Sequence, residues 1–181
     1  MFLKLSNFYK FIFIIFTMIG YSMTIEANDN ILLLELKDGI VTIQMKPEVA
    51  PNHVSRIKEL VNEGFYDGLK FHRVIAGFMA QTGDPQGNGT GGSGKNLKAE
   101  FNNERHLKGT LSMARAQDPN SADSQFFICL DDVPHLIGQY TVWGQVRDGM
   151  EYVDNIKKGE GNNGSIIGEP DVIVSMKIKS N

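Results

Sequence analysis

The sequence predicts a mainly β protein, an antiparallel sheet of about eight strands that closes on itself, with two helices, one near each end. Short runs rich in β-branched and aromatic residues recur along the chain, separated by turns that contain glycine, asparagine or aspartate. Only two segments have helical periodicity, and they do not alternate with the strands as a parallel doubly wound sheet would require. Nineteen glycines and eleven phenylalanines fit a turn-rich β protein with aromatic packing.

The first 27 residues differ in composition from the rest. Lys4 and Lys10 precede an apolar run over residues 11–23, which is the pattern of a secretory signal peptide. The run is short for a membrane span, which needs about 20 apolar residues. Residues 1–27 are therefore predicted to be a signal peptide, with an uncleaved signal anchor or a buried N-terminal helix as alternatives. Residues 28–181 are predicted to form one exported domain.

The first half of this domain contains four predicted strands and one helix. Residues 31–36 and 40–45 form a predicted hairpin with an Asp-Gly turn. A helix is predicted from Pro51 to Glu63, because apolar residues recur on one face and a glycine follows. Residues 69–75 and 77–83 are predicted to be extended.

The second half contains four strands and the second helix. Three strands are predicted at residues 109–116, 124–130 and 140–146. A short helix is predicted within residues 148–159, closed by a glycine. In the last strand, residues 171–179, the alternation predicts that Val172, Val174, Met176 and Ile178 share one side.

The segment GDPQGNGTGGSGKN, residues 83–96, has glycine spacings that resemble nucleotide-binding loops. A phosphate loop needs Ser or Thr after its lysine as a magnesium ligand, and Asn96 stands there. A dinucleotide fingerprint needs a βαβ unit with an acidic residue about twenty residues on, and no helical stripe follows here. The segment is therefore predicted to be a loop that binds no nucleotide. The net charge of −3 gives no indication of nucleic-acid binding.

Few residues indicate chemistry by pattern alone. Arg73 lies in a strand of apolar residues, where an outward-facing arginine is the favoured interpretation, and Gln125 lies beside two phenylalanines, where core packing is. Cys129, the only cysteine, lies in an apolar run and is predicted to be a core residue. His53 and His106 are predicted to lie at the surface. The sequence contains no paired-acid, Cys/His or metal-ligand cluster, so no metal or cofactor is predicted.

Taken together, the longer motifs resemble a known family. FHRVIAGFMAQTGD, NGTGG, GTLSMARA, SQFFICL and YTVWGQV occur in the order and spacing of the cyclophilin family of peptidyl-prolyl isomerases. The match spans nearly all of residues 30–179 and resembles the exported bacterial branch most closely. The resemblance implies an eight-stranded antiparallel β-barrel capped by two helices, with the active groove on its outer face. It also implies proline-containing polypeptide substrates, no cofactor, a monomer, and location in a bacterial periplasm.

The resemblance assigns the site position by position. Arg73 matches the catalytic arginine, and Gln81 and Gln125 match polar groups around the substrate, Gln81 being assigned with Arg73 to catalysis. The residues that match the walls of the proline pocket are Phe78, Met79, Phe127 and Leu136. An arginine donor can bond the lone pair that the proline nitrogen regains when the X-Pro bond is twisted, which stabilises the transition state selectively. A proline-binding module or holdase without turnover is the alternative function.

At the groove rim the chain departs from many eukaryotic members. Ala114 and Arg115 match the edge that pairs with the substrate backbone, and Arg115 stands where many of those members have asparagine. His135 occupies the position of their tryptophan, and Tyr140 replaces their histidine. Because that indole is associated with drug contact in the family, weak cyclosporin binding is predicted.

Overall fold

The computed structural model describes residues 30–180, so the signal peptide predicted for residues 1–27 lies outside the described residues. The strands are β1 Ile31–Leu36, β2 Gly39–Met45, β3 Arg73–Ile75, β4 Met79–Thr82, β5 Thr110–Met113, β6 Phe126–Cys129, β7 Val142–Asp148 and β8 Ser175–Ile178. The helices are α1 Pro51–Asn62 and α2 Met150–Asp154, with a short 3-10 turn at Pro134–Leu136. Every predicted strand and helix is present, although most are shorter than predicted. None of these helices is both long and apolar enough to cross a membrane.

All neighbouring strands are antiparallel, in the order β3-β4-β6-β5-β7-β2-β1-β8. The two ends of the sheet meet through irregular backbone that precedes β3 and β8. There the N–H of Gly68 donates to the carbonyl of Ile173 at 2.7 Å, and the N–H of Phe71 donates to the carbonyl of Asp171 at 2.9 Å. The sheet therefore curls into the predicted eight-stranded barrel, which closes through non-strand residues.

The barrel interior is filled by aliphatic and aromatic side chains. Phe126 is fully buried and packs edge-on against Tyr66 and Trp143, with ring centroids 5.6 and 5.4 Å away. The apolar face predicted for α1 is buried as expected. These contacts give the barrel a continuous core that is separate from its outer surface.

The start of α1 depends on a distant carboxylate. Pro51 occupies the first turn and no neighbouring side chain caps the helix. Glu100 instead accepts hydrogen bonds from the backbone N–H of Asn52 at 3.1 Å and of His53 at 3.0 Å, and its oxygen lies 2.6 Å from the His53 ring. The surface location predicted for His53 and His106 is wrong, because both residues are buried. His53 packs against Glu100, and His106 packs against Ser112 and Phe127.

The alternation predicted for the last strand is also wrong before Ser175. Val172 and Val174 are exposed, whereas Ile173 is fully buried, and Met176 is buried as predicted. Ile173 and Met176 are three residues apart yet both face inward, so the backbone is irregular between them. The cause is tertiary, because residues 171–173 bond to the segment before β3 to close the barrel.

Candidate active site

Three neighbouring strands place Arg73, Gln81 and Phe127 in one row on the outer face of the barrel. Arg73 of β3 pairs with Gln81 of β4, which pairs with Phe127 of β6. Directly paired residues in a sheet have their side chains on the same face, and successive residues alternate between faces. Phe126 therefore points inward while its neighbour Phe127 points outward. Arg73 faces away from the barrel interior, as its pattern predicts, but is half-buried.

A small apolar cluster surrounds this row and is separate from the barrel core. Its buried members are Met79, Phe127, Cys129, Val133 and Leu136, with Ile75, Phe78, Ala114 and Tyr140 partly buried against them. They enclose a cavity of about 100 Å³ that opens to the surface. The residues lining the cavity are Arg73, Phe78, Met79, Gln81, Ala114, Arg115, Phe127, Leu136 and Tyr140. Nine of the eleven residues assigned to the site thus line one cavity.

Arg73 is held at the rim of this cavity by two hydrogen bonds. Its Nε donates to the carbonyl of Asn163 at 2.9 Å, and its Nη1 donates to Oε1 of Gln81 at 3.2 Å. The Asn163 loop reaches β3 through Gly164, which has a φ of +69°. A Cβ at Gly164 would lie 2.4 Å from the Ile75 side chain and 2.8 Å from the Val74 carbonyl. Only glycine fits there, and the sequence offered no signal that this turn holds Arg73.

Two glutamine amides extend the contact from Arg73 to the glycine-rich loop. Gln81 donates from Nε2 to Oε1 of Gln125 at 2.9 Å. Gln125 then donates from Nε2 to the carbonyls of Gly89 at 3.1 Å and Gly91 at 2.8 Å. The guanidinium at one end can only donate and the carbonyls at the other end can only accept, so both amides have one consistent orientation. This series of hydrogen bonds therefore fixes the orientation of Arg73 and Gln81, which line the cavity.

The glycine-rich loop is folded around its own carboxylate. Asp84, which is 1% exposed, accepts bonds from the backbone N–H groups of Gln86 at 2.8 Å, Asn88 at 3.0 Å and Gly89 at 2.6 Å. Burial by itself raises the pKa of the Asp84 carboxyl, but these N–H donors outweigh burial and lower the pKa below its ordinary value. Converging amides of this kind can bind an anion. Here the anion is Asp84, so these N–H groups are not available to a phosphate.

A second, larger cavity lies beside the first. Its volume is about 410 Å³, and it is lined by the glycine-rich loop together with Asp123, Gln125 and Ser121. Gln81, Ala114 and Arg115 line both cavities, so they form the boundary between the two. Together the cavities make one groove, and Gln125, which does not line the small cavity, lines the large one.

His106 supports the cavity from behind Phe127. The two rings stack with centroids 6.4 Å apart and planes 18° apart, and His106 Nε2 lies 2.9 Å from the Ser112 hydroxyl. Burial, with a smaller contribution from His135, lowers the pKa of the His106 ring, which favours the neutral form. No motif marked His106 as part of the site, because its ring reaches Phe127 only through the tertiary fold.

Cys129 lies beneath the small cavity, and His135 lies at its outer rim. Cys129 is fully buried beneath it, where burial raises the pKa of the thiol to about 12. The thiolate is the reactive form, so Cys129 is an inert packing residue, as predicted. His135 is exposed at the outer rim with its ring centroid 5.9 Å from that of Phe78, and it does not line the cavity.

Comparison with known proteins agrees with this geometry. Residues 31–178 match the family described as cyclophilin type peptidyl-prolyl cis-trans isomerase/CLD. A probable peptidyl-prolyl cis-trans isomerase from Brucella suis is 50% identical over 176 residues, covering 90% of each chain. Peptidyl-prolyl cis-trans isomerase B from Bacillus subtilis is 47% identical over 128 residues, covering 69% of this chain and 89% of the relative.

Two solved structures have the same fold. The cyclophilin AquaCyp293 from Hirschia baltica superposes with a TM-score of 0.74 at 29% identity, covering 84% of this chain and 74% of that one. A cyclophilin-type isomerase from Cryptosporidium parvum, crystallised in the presence of the dipeptide Ala-Pro, superposes with a TM-score of 0.76 at 29% identity, covering 83% and 99%. The chain therefore belongs to the cyclophilin family, and its activity is peptidyl-prolyl cis–trans isomerisation.

Proposed function

We propose that the chain accelerates rotation about X-Pro bonds in exported polypeptides and so assists their folding, with Arg73 as the transition-state donor. The observation that carries the assignment to Arg73 is the position of its guanidinium, fixed by Gln81 and the Asn163 carbonyl at the rim of an apolar cavity. The Cryptosporidium parvum relative, crystallised in the presence of Ala-Pro, supports a proline peptide as the ligand class.

The chemistry requires a donor for a group that exists only in the transition state. Rotation about the peptide bond has a barrier of ~18–20 kcal/mol because amide resonance is lost. At the twisted midpoint the proline nitrogen becomes pyramidal and regains a lone pair. Arginine has five N–H groups, of which Asn163 and Gln81 engage two within the described residues. The remaining N–H groups can donate to that lone pair, which the planar ground state does not offer.

The apolar walls of the small cavity strengthen this hydrogen bond. Phe127 and Met79 are almost completely buried, and Leu136 closes the same side. A proline ring seated against them displaces water from the reacting bond. Electrostatic interactions are stronger where water is excluded, so the cavity both holds the ring and increases the contribution of Arg73.

The direct test is an isomer-specific protease-coupled assay with an Ala-Ala-Pro-Phe anilide. Arg73→Ala is expected to lower kcat/KM by roughly 100-fold, the usual cost of removing one transition-state donor, with the melting temperature little changed. Arg73→Lys is expected to recover only part of the loss, because an ammonium cannot bond Gln81 and Asn163 in the same planar geometry. Arg147→Ala, an exposed arginine on β7, is the control and is expected to match wild type. Unchanged turnover in Arg73→Ala would refute the role of Arg73.

The proposal of export rests on the N-terminal sequence. The positive residues Lys4 and Lys10 and the apolar run 11–23 have the pattern of a secretory signal. Expression of the full chain in a Gram-negative host, followed by fractionation and N-terminal sequencing, separates the alternatives. A periplasmic protein that begins near residue 28 is the expected result. Recovery of the intact chain in the cytoplasmic fraction would contradict export, and recovery in the membrane fraction would indicate an uncleaved anchor.

A further inference from the structure

The Arg115 side chain contacts two aromatic rings from different parts of the chain. Its guanidinium carbon lies 5.0 Å from the centroid of the Tyr140 ring and 5.5 Å from that of Phe101. Both distances are within the range of a cation–π contact. Phe101 is 38% exposed, so its ring lies partly at the surface and Arg115 covers part of it.

Backbone carbonyls accept hydrogen bonds from the same guanidinium. Nε of Arg115 donates to the carbonyl of Gln139 at 3.1 Å, and Nη1 donates to the carbonyls of Ala116 at 2.8 Å and Gln117 at 3.3 Å. Arg115 thus connects the Phe101 loop with the turn after β5 and the segment before β7, the last two of which adjoin the paired strands β5 and β7. The hydrogen bonds and cation–π contacts of its guanidinium hold these segments together.

The stack continues into the small cavity. Tyr140 packs edge-on against Phe127, with ring centroids 5.5 Å apart, and Tyr140, Phe127 and Arg115 all line the cavity. The side chains therefore form a continuous series from Phe101 through Arg115 and Tyr140 to the wall of the pocket. Arg73 is not in this series, because its partners are Gln81 and Asn163.

From this arrangement we propose that Phe101 and the Arg115 side chain are positioning residues, which hold Tyr140 as a wall of the pocket and so set the affinity for the proline peptide. The inference rests on the groove proposed above as the substrate site. It assigns the Arg115 side chain a role separate from the backbone edge at Ala114–Arg115, and it adds Phe101, which lies in neither cavity lining, to the residues on which binding depends.

The chemistry of the stack makes specific demands on both residues. A guanidinium is planar, stacks on rings with both faces and donates in its own plane at the same time. A lysine ammonium is not planar, so at position 115 it cannot contact both rings and donate to the backbone carbonyls at the same time. An aromatic ring at position 101 preserves the contact, whereas a methyl group removes it. Arg115→Lys should therefore behave like Arg115→Gln, and Phe101→Tyr should behave like wild type.

The test is to measure kcat and KM separately for Ala-Ala-Pro-Phe isomerisation. Arg115→Gln and Arg115→Lys are each expected to raise KM about fivefold and Phe101→Ala about two- to threefold, the range of cation–π contacts at partly exposed sites. In all three, kcat is expected to stay within about twofold, because the Arg73 contacts are separate. Ile167→Ala, at an exposed apolar residue that lines neither cavity, is the control for Phe101→Ala, and melting temperatures identify any variant that is misfolded.

The decisive measurement is a double-mutant comparison. If Phe101 acts through Arg115, Phe101→Ala raises KM in the wild-type background but has no further effect in Arg115→Gln. An effect of equal size in both backgrounds, a loss of kcat with KM unchanged, or full activity in Arg115→Lys would each overturn the proposal. Binding of the same peptide, titrated by NMR, is expected to show the same ranking of Kd. If the wild type showed no turnover but the Kd values kept this ranking, the proposed function would be refuted and the positioning role of Phe101 and Arg115 would stand.

Discussion

Phe126 and Phe127 are neighbours on β6 with opposite surroundings. Phe126 points into the barrel, is fully buried and contacts Tyr66 and Trp143 through edge-on packing. Phe127 points outward into a much smaller cluster, where it contacts His106, Tyr140 and an open cavity. The two residues belong to the same sequence run and differ only in the face of the sheet that they occupy.

The difference separates stability from binding in this protein. The barrel interior is enclosed on all sides, so its side chains contribute mainly to the free energy of unfolding. The outer cluster is enclosed from behind by Cys129 and His106 but open in front, so part of its apolar surface is free for a ligand. A substitution in the barrel interior should therefore mainly lower stability, whereas the same substitution in the outer cluster should mainly weaken ligand binding.

The largest expected effect comes from replacing these two phenylalanines by alanine. Phe126→Ala is expected to lower the free energy of unfolding by about 3–5 kcal/mol, because it leaves a cavity in a closed core, while kcat/KM of the folded fraction stays near wild type. Phe127→Ala is expected to cost less stability but to lower kcat/KM by roughly 30- to 150-fold, since burial of a phenyl ring contributes ~2–3 kcal/mol. Urea unfolding and the isomerisation assay measure the two quantities. Equal losses of stability and activity in both variants would contradict the separation.

A smaller effect is expected at Asp84, which orders the glycine-rich loop that lines the larger cavity. In Asp84→Asn, one carboxylate oxygen becomes an NH2 group, which cannot accept a hydrogen bond from the backbone N–H of Gln86 or Gly89. The variant is expected to lower the free energy of unfolding at pH 7 by about 1–3 kcal/mol. Because the pKa of the Asp84 carboxyl is lowered in the folded protein, its stabilisation is present in full above the ordinary pKa near ~4. It is lost as the pH falls through the folded value, so the difference from wild type should shrink in acid.

Two further measurements make this prediction specific. Asp148→Asn, at an exposed position at the end of β7, is the matched control and is expected to show little difference from wild type at any pH. Isomerase activity of Asp84→Asn should also fall, because the loop carbonyls that anchor Gln125, and through it Gln81 and Arg73, lose their support. A stability difference that is the same at pH 3 and pH 7 would argue against the role of the Asp84 charge.

The smallest expected effect is at the outer rim. His135 is exposed beside Phe78 and does not line the small cavity, so the wild type is expected to bind cyclosporin weakly. His135→Trp adds apolar area and an indole N–H, and it is expected to tighten binding about tenfold, equivalent to ~1.4 kcal/mol, with Tm unchanged. Isothermal titration calorimetry gives both Kd values. Tight binding by the wild type, or no gain in the variant, would be evidence against the importance of this position.

The functional residues differed in how far their surroundings could be predicted. Family motifs predicted that Arg73, Phe78, Met79, Gln81 and Phe127 belong to one site, and the structure brings these five together around one cavity. The same motifs assigned Gln125, which bonds Gln81 from 44 positions away. Asn163 carried no such signal, because it is 90 positions from Arg73 and no local spacing relates the two. His106 was predicted at the surface, yet folding places it behind Phe127.

The strands and the two helices follow from residue pattern, because alternation and helical periodicity are properties of short segments. The family follows from long motifs in a fixed order. The folded chain alone decided which backbone closes the barrel and which rings contact Arg115, since these contacts join residues that are distant in sequence. The amides around Asp84 are only two to five residues away from it, but they converge on the carboxylate because of the backbone conformation of the folded loop. The glycine-rich loop combines both cases: its glycines predicted a loop, but its own buried carboxylate, visible only in the fold, occupies the N–H groups that a phosphate would need.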